Sequence, residues 1–257
     1  MAILLFLAGL KVVETQAGVK VENSHYVAEL SRGAGGLISR LVFKPTGEVL
    51  LGGMNVYTDY GIYGPGRRYV GTRNEQKPRL TVRRVAGRAV MTAEGRLKPS
   101  QEGRAIAYRA RFTFDESPEI HLSLELEPNF SEGAVKAFLA LCWALPSLSE
   151  WALNSPDGWL CQERGDGSRR DFMGLLNIKS PIALFLTAKG ACLTIKGLRW
   201  DAPVPPQRVV VHGCAFFLCF YNGQPAPLVG GGKYRVSLSL VLGRGAPDVA
   251  QLLPERG

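Results

Sequence analysis

Helical signal is what this chain lacks most. Across its 257 residues the 3.6-residue apolar period is nearly absent, with at most one turn at 248–253, so helix-built architectures are not expected. Cysteine is sparse and badly spaced for metal: Cys142, Cys161, Cys192, Cys214 and Cys219 are odd in number, contain no CxxC, and lie mostly in apolar runs. A free cysteine there behaves as a small hydrophobe, so no structural zinc, and no metal or cofactor of any kind, is expected. Histidine is scarcer still, with only His25, His121 and His212 to supply an imidazole. No linker, low-complexity tract or repeat divides the chain, and residues 1–257 read as one domain.

The N-terminus has an apolar run at 3–10 and a small-residue sequence at Thr15-Gln16-Ala17, but no Lys or Arg precedes the run. Residues 1–17 therefore read either as a signal peptide or as an extra N-terminal strand. The first reading implies a secreted or periplasmic protein, the second a cytoplasmic one. The run is too short to span a bilayer, so no membrane partner is expected.

Acidic residues are few where basic ones crowd. Lys and Arg number 31 against 22 Asp and Glu, a formal charge of +9. Residues 60–111 hold 13 basic and 3 acidic side chains, whereas 112–171 hold 11 acidic and 4 basic. The basic block is then either an anion-binding surface or the partner of the acidic block. Its arginines alternate with apolar residues instead of forming a run, and no nucleic-acid motif is present, so nucleic acid is not expected.

What is abundant is turn residues and alternation. The chain has 30 Gly and 16 Pro, and 46% of its residues are hydrophobic. In 105–114, Ile106, Tyr108, Ala110, Phe112 and Phe114 alternate with Arg109, Arg111 and Thr113. In 119–127, Ile120, Leu122, Leu124 and Leu126 alternate with His121, Ser123, Glu125 and Glu127. With Asp115-Glu116-Ser117-Pro118 between them, these read as a hairpin whose loop has odd length, because a one-residue slip would turn one polar row inward. Arg109 and Arg111 should then lie beside Ser123 and Glu125. Further strands are read at 26–30, 37–43, 79–85, 88–94, 135–145, 182–187, 192–196, 209–221 and 234–242. Alternating strands with turns this frequent specify an all-β fold: a single large antiparallel β-sandwich with very little helix.

The two ends of the chain carry a pattern. Residues 21–51, VENSHYVAELSRGAGGLISRLVFKPTGEVLL, place a Gly-rich turn between strands and end in a Lys-x-x-Gly-Glu turn. Residues 233–245, KYRVSLSLVLGRG, form a closing strand, and PIALFLTAKGACLTIKGL at 181–198 is a strand, Gly turn, strand passage. Together these resemble the galactose mutarotase-like super-sandwich, the fold of aldose epimerases, polysaccharide lyases and glycoside-hydrolase accessory domains. The resemblance implies carbohydrate as partner and a sugar site on the concave face of the larger sheet. Epimerase chemistry requires two His and a carboxylate base. The Asn-His-x-Tyr-x-Asn type motif that would carry the first His is missing here, so the resemblance carries over the fold and not the epimerase mechanism.

Three places compete for the site. The segment 57–69, YTDYGIYGPGRRY, offers Tyr57, Tyr60, Tyr63 and Tyr69 for stacking, and Arg67 and Arg68 as forks for a carboxylate or sulfate. The segment 151–171 offers Trp151, Trp159, Glu163 and Arg164 and reads as a long surface excursion; the alternative is a loop whose tryptophans plug the sandwich. The polar hairpin face offers His121 beside Glu125 and Arg109, against the alternative of a solvated face with weak ion pairs. Two functional readings follow. One is a glycan-binding or glycan-processing domain that holds its ligand, neutral or anionic, on the aromatic and arginine-rich loops. The other is a lyase acting on a uronic-acid polymer, with Tyr60, Tyr63 or His121 as base, Glu125 beside it, and Arg67 or Arg68 neutralising the carboxylate.

Overall fold

A computed structural model describes residues 3–7, 9–60, 68–72, 75, 77–97, 105–131, 137–155, 158–162, 172–174, 183–202, 208–212, 214–221 and 229–245. Strands dominate, and a 3-10 turn stands at Arg32–Ala34. The fold is an antiparallel β-sandwich of three sheets.

The first sheet is a meander of six strands in chain order: β1 (Ile3–Leu7), β2 (Leu10–Glu14), β3 (Gly18–Glu22), β4 (Tyr26–Ser31), β5 (Ile38–Phe43) and β6 (Glu48–Leu51). The apolar run at the N-terminus is thus an edge strand, paired to β2 with Leu7 opposite Leu10. The chain then enters a second six-stranded sheet through β7 (Gly53–Tyr60) and β8 (Arg68–Gly71). A large sheet follows with β9 (Arg79–Val85), β10 (Arg88–Leu97), β11 (Ile106–Phe114) and β12 (Glu119–Pro128). Thereafter β13 (Ala137–Ala144) returns to the second sheet. β14 (Leu148–Ser155), β15 (Gly158–Gln162), β17 (Ala183–Thr187) and β18 (Ala191–Asp201) extend the large one. β16 (Phe172–Gly174), β19 (Arg208–His212) and β20 (Ala215–Tyr221) complete the second, and β21 (Tyr234–Arg244) returns to the large sheet. Its order is β15-β14-β17-β18-β21-β12-β11-β10-β9, and the second sheet runs β16-β19-β20-β13-β7-β8.

The predicted hairpins form because period-two alternation leaves one apolar face to bury. β11 and β12 pair with Arg109 opposite Glu125, Arg111 opposite Ser123 and Phe114 opposite Ile120, which leaves the expected odd number of residues in the loop. β9 and β10 turn at Ala86 and Gly87, whose φ values of 48° and 77° meet the demand of a two-residue type I′ turn.

Two segments differ from their sequence reading. Residues 209–221 are not one strand but two, β19 and β20, with His212 opposite Ala215; both halves are apolar, so periodicity alone could not show the reversal. Residues 151–162 are not a surface excursion. They form the hairpin of β14 and β15, with Ser155 opposite Gly158, at the edge of the large sheet. Trp151, Ala152 and Leu153 are all buried there, and Pro156-Asp157-Gly158 is the hairpin signal in the sequence.

Both smaller sheets cover the same face of the large one. Phe114 aligns across the strands with Ile120, Leu240, Ile195 and Ala183, so Phe114 and Phe185 share a face. Tyr26 of the first sheet meets Phe114 with ring centroids 6.4 Å apart, and Phe216 of the second meets Phe185 at 5.1 Å. One apolar cluster runs through all three sheets. Burial at about 25 cal/mol per Å2 of apolar area is its main stabilising contribution. Polar links join the layers at their margins: Asn23 Nδ2 donates to the carbonyls of Asp115 and Ser117, and Thr187 Oγ1 donates to Glu48 Oε2.

Candidate functional site

The opposite face of the large sheet is open to solvent, and strand pairing arranges its side chains in rows. Arg79, Glu94, Arg109, Glu125, Arg235 and Asp201 stand in line on β9, β10, β11, β12, β21 and β18. The charges alternate in sign at every step. Arg109 Nε donates to Glu94 Oε1 at 2.6 Å, and Arg235 Nε to Glu125 Oε2 at 2.6 Å. Arg235 also reaches Asp201 at 3.3 Å, and Arg79 reaches Glu94 at 4.0 Å. The Arg235 guanidinium hydrogen bond, aided by Lys233, holds the Glu125 carboxyl below the usual carboxylate range.

The next row inward is Thr92, Arg111, Ser123, Ser237 and Arg199. Beyond it lie Thr113, His121, Ser239 and Lys196. The His121 Nδ1 and Ser239 Oγ are 2.8 Å apart, and Glu119 Oε1 lies 3.5 Å from the same ring nitrogen. Lys196 Nζ meets the other oxygen of Glu119 at 2.9 Å. The Glu119 carboxyl is partly desolvated, which opposes ionisation, but hydrogen bonds from Lys196 and Ser239 outweigh this and lower its pKa. Two shallow depressions occupy this face. One of about 290 Å3 lies around Arg111, His121, Ser123 and Ser237. The other, of about 370 Å3, lies around Glu94, Arg109, Glu125 and Lys233.

Of the residues singled out in the sequence, His121, Glu125 and Arg109 therefore share this outer face. Arg109 spends its charge on Glu94 rather than on Glu125, because Arg235 arrives from the far end of the chain to take Glu125. Trp151 lies in the core with 6% of its surface exposed. Trp159 stands in β15 opposite Asn154. Tyr57, Tyr60, Arg68 and Tyr69 lie on β7 and β8 of the second sheet, with Tyr57 opposite Gly71, Tyr60 opposite Arg68, and Asp59 opposite Tyr69. That sheet packs on the other side of the large one, so these strands and His121 belong to different layers. Tyr63, Arg67, Glu163 and Arg164 lie outside the described residues.

β8 is an edge strand of its sheet, and a buried polar pair pins the base of its hairpin with β7. Thr72 Oγ1 donates to Asn55 Oδ1 at 2.9 Å and accepts the Val56 amide at 3.1 Å. Both Asn55 and Thr72 are buried, so these hydrogen bonds fix how the two strands leave the core.

Sequence reasoning passed over Arg235, Ser237, Ser239, Lys196 and Glu94 as site residues. The alternation in 234–242 already puts the first three on one polar face. Only the insertion of β21 between β12 and β18 sets them beside His121 and Glu125. Among the described residues no group of His, Cys, Asp and Glu could hold a metal ion, and no helix is long and apolar enough to cross a membrane.

These layers and this strand order are those of the galactose mutarotase-like β-sandwich fold. Solved structures superpose on it at low sequence identity. A galactose 1-epimerase from Lactobacillus acidophilus NCFM matches with a TM-score of 0.59 and 12% identity, over 92% of this chain and 96% of that one. An aldose epimerase homologue from C. elegans matches at 0.51 and 11%, over 96% of this chain and all of the other. A TPR-domain containing protein from Parabacteroides distasonis matches at 0.57 and 10%, over 96% of this chain and 49% of its own. No family model matches the sequence, and no curated protein matches it.

Proposed function

We propose that this chain is a carbohydrate-recognising domain that holds a glycan, neutral or anionic, on the segment 57–69. The observation that carries this reading is the β7–β8 register, which sets Tyr60 across from Arg68 and Asp59 across from Tyr69 at the edge of a sheet, above a base pinned by Asn55 and Thr72. A tyrosine ring stacks on a sugar face while its hydroxyl bonds to sugar oxygens. An arginine fork matches a carboxylate or sulfate. Pinning the strands below reduces the ordering cost of binding. The test is an array of neutral, uronic and sulfated glycans, repeated with Tyr60→Ala and Arg68→Ala. Retention of a glycan that both variants weaken supports the proposal, and failure to bind any glycan sinks it.

The pairing of Tyr60 with Arg68 also favours a second reading, a lyase on a uronic-acid polymer. Tyr60, as its phenolate, would take the C5 proton while Arg68 neutralises the carboxylate; the C4–O bond breaks, a C4–C5 double bond forms, and the departing O4 takes up a proton from Tyr60 or from water. The new absorbance of an unsaturated uronate would report it, and inactivity on all uronic polymers removes it.

A further inference from the structure

We propose a second, separate anion site on the outer face of the large sheet, one that takes the sulfate or phosphate ester of a sugar between Arg111 and the hydroxyls of Thr113, Ser123 and Ser237. The argument begins with charge. The row from Arg79 to Asp201 alternates in sign and neutralises itself. The row beside it does not: Arg111, Ser123, Ser237 and Arg199 follow one another on four adjacent strands. Two guanidiniums thus flank two hydroxyls, and neither arginine has an ion-pair partner among the described residues. Lys196, in the row beyond, is by contrast taken by Glu119.

The shape follows from the backbone. Pairing of β18 with β21 shifts register between Lys196 and Arg199. Gly197 sits in this bulge at φ 62°, with open space where a Cβ would point. The depression of about 290 Å3 opens against this bulge. Its lining holds Arg111, the imidazole of His121 and four hydroxyls, and no carboxylate. A cation would find no compensating charge there. An oxyanion finds a fork of N–H donors and the hydroxyls of Thr113, Ser123 and Ser237, while Ser239 is held by Glu119 and His121. His121 Nδ1 is engaged with Ser239 Oγ, leaving Nε2 as the ring's other polar atom. The volume lies near the lower end of the range for small-molecule sites, suited to one sugar unit carrying the ester.

This site does not depend on the proposed glycan segment, which lies in another layer. The test is calorimetric titration of the intact protein with glucose 6-phosphate, glucose 6-sulfate, glucose, inorganic phosphate and inorganic sulfate. The wild type should bind at least one ester, and glucose not at all; the two esters, and the two free ions, distinguish the sources of the oxyanion. Arg111→Gln should weaken binding at least tenfold. Ser237→Asp, which sets a carboxylate into the depression, should abolish it. Arg111 is exposed, so its variant should melt with the wild type, and the melting temperature of each variant is recorded. No binding of any anionic probe overturns the proposal, as does binding that Arg111→Gln leaves unchanged. Binding lost in Tyr60→Ala and Arg68→Ala but kept in Arg111→Gln overturns this site while supporting the other.

Discussion

Tyr108 of β11 reaches out of the large sheet and donates a 2.9 Å hydrogen bond to the carbonyl of Gly35, in the turn that joins β4 to β5 of the first sheet. The phenol is buried, and burial raises its pKa well above the ordinary value of 10.0, with the Glu75 carboxylate adding to the effect. Tyr26, which packs on Phe114 at the same interface, is raised by burial in the same way and further by Asp115.

The sign of the pH dependence follows from these two tyrosines. Each binds its proton more tightly folded than unfolded. Their contribution is complete below the unfolded value near 10 and is lost as pH rises beyond it toward the folded values. The melting temperature should therefore fall steeply above about pH 10, with a shallower fall in Tyr108→Phe. At neutral pH the same variant leaves the Gly35 carbonyl without this donor and should cost about 1–3 kcal/mol in denaturant unfolding. An unchanged alkaline slope in the variant would contradict the assignment.

Acid should act through a different set. Glu125, hydrogen-bonded to Arg235, and Glu22, hydrogen-bonded to Lys44, both have lowered pKa values. Their stabilisation is present above the ordinary 4.5 and is lost as pH falls through the lowered values. Glu125→Gln should flatten the acid limb of a melting-temperature profile and weaken its dependence on salt, since these pairs are solvent-exposed.

Thr72→Val conserves shape while removing the hydroxyl that bridges Asn55 and the Val56 amide. Both partners are buried, so unfolding in denaturant should show a loss of about 1–3 kcal/mol. If the 57–69 segment holds a glycan, affinity should fall with it, although Thr72 lies outside that segment.

Ala86 is the only non-glycine residue at positive φ among the described residues, at 48°. The left-handed conformation costs an L-residue about 1–2 kcal/mol, and Asn-Gly is the favoured pair in such turns. Ala86→Asn should raise the melting temperature, with a gain of up to about 1 kcal/mol; a fall would mean that the turn is not of type I′.

The hairpins were legible because their information is local. In 106–128 alternation, a polar turn and an odd loop predict that Arg109 and Arg111 lie beside Ser123 and Glu125 without reference to the rest of the chain. In 151–162 the same information was present in Pro156-Asp157-Gly158, but two tryptophans among charges suggested a loop, and burial of Trp151 shows how the strand resolves. The destination of Glu125 was not legible. Its neighbour Arg235 is 110 positions away, and any half-buried strand of suitable length could have stood beside β12. Placing β21 there depends on packing both apolar faces against one core.

The chain's shortage of helical period and its alternation are sufficient by themselves to determine an all-β sandwich, because period two leaves a strand no other way to bury its apolar side. They also determine which residues share a polar face. Which polar faces meet was decided by tertiary structure alone. Stacking the two smaller sheets on one side of the large sheet puts His121 and the Tyr57–Tyr60 strand in separate layers. The same pairing sets Arg79 and Arg109 of the basic stretch 60–111 in a self-neutralised row and sets Arg111 in a row with the distant Arg199, where positive charge is left over.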